Sequence, residues 1–142
     1  MQIMGFNLTS MHIEKFENVK GKFKVTSSMH IKDIKEEKAS PIQNQNLAKL
    51  EFEYNLTYEQ KLAELKFKGI MMIMGSPAEI KDLVSEWKKK NTLISEFKIR
   101  IYNTIFHKCN LKALELEDEF GLPTHIQLPS LKEEEKKASY TG

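Results

Sequence analysis

Arginine occurs once in this chain, as Arg100, among 22 basic residues. Bidentate recognition of bases and phosphates uses the guanidinium fork, so sequence-specific reading of nucleic acid is not expected. Against the 22 basic residues stand 20 acidic ones, for a formal charge of +2. That balance supplies no long-range field to draw in nucleic acid or an anionic membrane. Cysteine also occurs once, as Cys109, which excludes an internal disulfide framework and fits a reducing, cytoplasmic setting. No run comes near the roughly 18 apolar residues that a spanning helix needs. Residues 1–5 have no basic stretch leading into an apolar one, so no signal peptide is expected. The six glycines form no Gly-x-Gly-x-x-Gly, P-loop or Gly-x-Ser-x-Gly elbow, and no cofactor is expected.

What the chain does have is period. At 142 residues it has the size of one domain and can bury roughly 68–70% of its unfolded surface. In the first half, Phe23, Val25, Met29 and Ile31 alternate with polar neighbours. So do Leu50, Phe52, Tyr54, Leu56 and Tyr58, and again Leu65, Phe67, Met71 and Ile73. Such alternation predicts half-buried antiparallel strands. Residues 2–16 make a fourth, whose apolar phase shifts between Phe6-Leu8 and Met11-Ile13, as a β-bulge requires. The stretch 36–45, with Pro41, reads as a loop.

The second half changes to helical period. Ser76, Pro77 and Glu79 supply an N-cap, a first-turn proline and a capping-box partner, followed by Ile80, Leu83, Val84 and Trp87 at helical spacing. A longer helix is predicted from about Leu93 to Phe120. One stripe on it is Tyr102, Phe106, Cys109, Ala113, Leu116 and Phe120, and a second is Ile94, Phe97, Ile101 and Ile105. Gly121 is placed to end it in the left-handed region, with Pro123 shortly after. Residues 122–131 read as an extended apolar arm and 132–142 as a charged, disordered tail. The fold class is therefore α+β, a four-stranded antiparallel sheet with two helices on one face.

No constellation carries catalysis. His107 and Cys109 sit two apart on a helix, about 200° round it, and cannot share a metal. Cys109 lies on the apolar stripe, where a small buried hydrophobe is expected. His12, His30 and His125 read as scattered, with no partner at ligand spacing, and Glu115, Glu117, Asp118 and Glu119 as a hydrated helix face. No metal site and no enzyme activity are expected. One strand is apolar on both sides, because Ile70, Met72 and Met74 join Met71 and Ile73; with Met4 and Phe6 they read as an oligomer interface.

Two stretches carry a resemblance. Glu64-Leu65-Lys66-Phe67-Lys68-Gly69-Ile70-Met71-Met72-Ile73 is a strand that begins polar and becomes apolar after a glycine. Phe120-Gly121-Leu122-Pro123-Thr124-His125-Ile126-Gln127-Leu128-Pro129-Ser130-Leu131 is an aromatic/Gly-Pro stretch after the long helix. In this order of elements, to about Leu131, the chain resembles the SecB family of protein-export chaperones. The resemblance implies a cytoplasmic dimer of dimers, a homotetramer that binds unfolded polypeptides without ATP. It also implies a client groove near the long helix at Tyr102, Phe106 and Phe16, with Leu122, Ile126 and Leu128 of the arm nearby. Bacterial members are strongly acidic, which suits docking on the export motor SecA; the near-neutral charge here puts SecA binding in doubt. The alternative is an adaptor or antitoxin-associated partner that uses the same sheet to hold one specific protein.

Overall fold

Four alternating segments pair as antiparallel strands. The computed structural model describes residues 1–18, 21, 23–37, 42–93 and 96–129. Its strands are β1 (Gln2–Lys15), β2 (Val25–Glu37), β3 (Asn46–Tyr58) and β4 (Ala63–Gly75), joined in one sheet of order β1-β4-β3-β2. Two helices follow, α1 (Pro77–Lys90) and α2 (Phe97–Glu119). The tail expected at 132–142 lies outside the described residues, as do Ser130 and Leu131 of the arm.

The core is one face of the two central strands. Leu50, Phe52, Tyr54, Leu56 and Tyr58 of β3 and Leu65, Phe67, Met71 and Ile73 of β4 are buried in one cluster with Ile80 and Leu83 of α1 and Ile101, Ile105 and Cys109 of α2. Both helices therefore cover the same face. Gly69 has a packing reason to be glycine. A Cβ there would lie 2.4 Å from Phe52 Cζ and 2.8 Å from the Asn7 carbonyl. Without one, the Phe52 ring crosses β4 and stacks on Phe6 of β1, centroids 5.2 Å apart.

Bulges decide which residues reach that face. In β1 the register shifts between Leu8 and Ser10, where the change of phase predicts it, and a second shift lies between Ile3 and Gly5. A strand that gains one unpaired residue exchanges its two faces. The extra shift at Met4 thus puts Phe6, opposite Met71, on the helix side. This corrects the grouping of Phe6 with the interface residues. A third shift, between Ile31 and Asp33 of β2, gives the core Ile34, wholly buried, which plain alternation misses.

The helix ends follow their sequence signals. Ser76 and Glu79 form the reciprocal capping box at the start of α1, and Asn91 closes it in the left-handed region at φ 50°. After α2, Gly121 has φ +65°. Its N–H bonds the Asp118 carbonyl and the Leu122 N–H bonds the Glu117 carbonyl, the paired bonds of a Schellman motif. The start of α2 is Phe97, four residues later than predicted, with 94 and 95 outside the described residues.

The buried residues of α2 are Phe97, Ile101, Ile105, Cys109, Ala113 and Glu117, a row spaced by four. Each step rotates about 40° past a full turn, so the row winds about 200° around the helix. The side buried at 97 and 101 is therefore the side that carries Lys108, Leu111, Lys112 and Glu115 further on. There it stands free of the core.

Candidate functional site

Around the second half of α2 the chain builds two unlike surfaces, one polar and closed, the other apolar and open. The closed one is centred on Glu117, the single charged residue among the described residues that is fully buried. Its carboxylate accepts from the Tyr58 hydroxyl at 2.5 Å, from the His125 main-chain N–H at 3.0 Å and from His125 Nδ1 at 2.8 Å. The Tyr58 hydroxyl also reaches the Pro123 carbonyl. On the far side of the imidazole, Nε2 lies 3.1 Å from Asn110 Oδ1, which accepts the Tyr54 hydroxyl at 2.5 Å. Burial, followed by the bond to Glu117 and the charge it carries, raises the Tyr58 hydroxyl well above its ordinary value. Tyr54 is raised by burial, then by Cys109 and Glu117. A buried carboxylate with several donors is the arrangement that low dielectric demands. Beside the cluster, burial pushes the Cys109 thiol up to about 12.

These bonds correct two expectations. Glu117 is not part of a hydrated face, because the winding of the buried row brings it inward at the last turn. His125 is not isolated, because the turn at Gly121 folds it back eight residues onto Glu117. His12 is likewise not alone. It stands two residues from Glu14 on one side of β1, near Glu64 of β4.

The open surface is a groove between β1 and α2, of about 490 Å³, lined by Phe6, Asn7, Leu8, Met11, Lys108, Leu111, Lys112 and Glu115. Met11 is 50% exposed and Leu111 68%. Lys108 Nζ lies 5.3 Å above the Phe6 ring, and Lys112 pairs with Glu115 at 3.2 Å. Lys15 Nζ donates to the Phe120 carbonyl at 2.9 Å, a surface contact that joins the end of β1 to the end of α2.

The residues expected to share a client groove are dispersed. Phe106 is half-buried against Tyr54, edge to face at 6.3 Å, and Tyr102 carries Lys98 Nζ at 5.4 Å. Leu122 is buried in the core, so it corrects to a packing residue; Ile126 and Leu128 on the arm remain exposed. Phe16, 52% exposed, lines a separate cleft with Thr57, Lys61, Ala63 and Glu64. The chain leaves β1 there and bonds Leu62, Phe16 N to Leu62 O at 2.8 Å. Of the expected interface, Ile70 and Met72 are half-buried on the helix-free face and Met4 stands 49% exposed at the bulge. Met74, opposite Leu47 on that face, is already buried within the single chain at 7% exposure, which corrects it to a packing residue.

The chain matches no family model and no curated protein. Among solved structures it is similar to a SecB-like chaperone of Mycobacterium tuberculosis determined in complex with a peptide from an antitoxin. The two share 14% identity and a TM-score of 0.48, over 92% of this chain and 90% of that one. No described helix is long and apolar enough to cross a membrane.

Proposed function

We propose that this chain is a holdase, a binding protein without catalytic activity that keeps non-native polypeptides in solution and uses no nucleotide. The observation that carries the reading is the open groove beside α2. It pairs an aromatic and aliphatic floor with exposed Met11 and Leu111 and a thin charged rim. Thioether and aliphatic side chains accept apolar partners of many shapes, and burial there contributes roughly 25 cal/mol per Å² before ordering costs. The exposed Ile126 and Leu128 of the arm add apolar surface of the same kind. The working form is a self-assembled dimer of dimers joined through Ile70, Met72 and Met4, because apolar side chains left at one end of an otherwise polar sheet face mark a site of association.

The test dilutes two unrelated denatured proteins into an equimolar amount of this protein and follows turbidity with and without ATP. Both should be protected, and equally so in either condition. Protection of neither, with one native protein held in fixed ratio instead, would replace this reading with that of a dedicated adaptor.

A further inference from the structure

His12, Glu14 and Glu64 converge on the sheet face turned away from the helices. His12 and Glu14 are two apart on β1 and so project to one side, and Glu64 lies directly across from Glu14 in the ladder. His12 Nε2 stands 3.7 Å from Glu14 Oε2 and 3.5 Å from Glu64 Oε1. One ligand atom from each of the three lies within 4.8 Å of the others. A tetrahedral zinc ion with nitrogen and oxygen ligands at about 2.0–2.2 Å sets those ligands about 3.3–3.5 Å apart. The two separations from the imidazole are within a few tenths of an ångström of that.

Two further features favour a cation over a plain surface ion pair. Like charges directly opposed on antiparallel strands repel, and these carboxylates are so opposed. Lys66, opposite His12 in the ladder, turns its ammonium to Glu53 at 3.7 Å.

We propose that His12, Glu14 and Glu64 form a three-ligand site for a divalent cation of the zinc type, its remaining position taken by water. The imidazole sets the class, since magnesium and calcium favour ligand sets made of oxygen alone. A cation there ties the edge strand β1 to β4 and relieves the repulsion between the two carboxylates.

The experiment titrates ZnCl₂ into the full chain, prepared without a histidine tag, by calorimetry and by thermal unfolding. One equivalent should bind and raise the unfolding midpoint, by linkage to the folded state. His12→Ala and Glu64→Gln should each weaken binding at least about tenfold. His30→Ala, which removes an exposed histidine opposite Glu53 on the same sheet face, should leave it unchanged. All three positions lie at the surface, and far-UV circular dichroism confirms that each variant folds. Absence of binding, binding that persists in both ligand variants, equal loss in His30→Ala, or an equal response to MgCl₂ each overturns the proposal.

Discussion

Glu117 Oε1 lies 2.8 Å from His125 Nδ1, and the side chains are 0% and 5% exposed. One residue closes the long helix and the other belongs to the arm that follows it, so this contact fixes the arm against the domain. Tyr58 contributes from the sheet, its one hydroxyl proton shared between the Glu117 carboxylate and the Pro123 carbonyl. Removing one partner of such a pair leaves a buried polar group without compensation, which is costly. Glu117→Gln should lower stability by about 3 kcal/mol in urea and open 122–129 to proteolysis. In a double-mutant cycle with His125→Gln the losses should fail to add by at least about 1 kcal/mol. Additive losses with an arm that stays protected would mean that the arm is held by something else.

Much of the architecture is legible in the residues, and the misses share one physical origin. Alternation marks all four strands, and Ser76, Pro77, Glu79 and Gly121 mark helix ends, because those signals act over a few residues. Met4 and Lys32 give no local sign that they interrupt a register, yet they decide that Phe6 and Ile34 face the helices. The Glu117 network joins residues 54, 58, 110, 117, 123 and 125, and no spacing rule reaches across so much chain. The one available signal was that Glu117 continues the spacing of four from Phe97. A row at that interval winds inward rather than staying on one side.

Stability should fall in alkali for a specific reason. Burial raises the Cys109 thiol to about 12 from 9.0, and the hydroxyls of Tyr54 and Tyr58 rise above 10.0. The unfolded chain releases these protons first, so the folded state is at full stability below the ordinary values and loses it as pH climbs past them. Urea midpoints should hold steady to about pH 9 and then decline, less steeply in Tyr58→Phe. A flat profile to pH 11 would contradict the burial of these groups. In the native protein Cys109 should resist thiol reagents and react once unfolded, and Cys109→Ala should cost about 1–2 kcal/mol.

The helix-free face makes its own prediction. Ile70 and Met72 alternate onto it, both half-buried in the single chain, beside Met74, which the chain itself already covers. Light scattering should give a mass near four times the 16.5 kDa chain, falling to a smaller species when Ile70→Asp and Met72→Asp are combined, since each sets a charge in an apolar contact. A wild type that stays monomeric at micromolar concentration would remove this interface.

The groove can be separated from the core by choosing residues that folding does not need. Phe106 is half-buried against Tyr54, so a change there mixes binding with packing. Met11 and Leu111 both line the groove, at 50% and 68% exposure, and surface changes of this kind usually stay within about 0.5 kcal/mol. Met11→Ser with Leu111→Ser should therefore leave the thermal midpoint nearly unchanged while sharply reducing protection of both denatured clients. Ile126→Ser with Leu128→Ser tests the arm by the same logic, and should weaken protection to a smaller degree because its apolar surface lies outside the groove. Full protection by the Met11/Leu111 variant, with its fold and assembly intact, would move the client site away from β1 and α2. A loss confined to the arm variant would then place that site on residues 122–129.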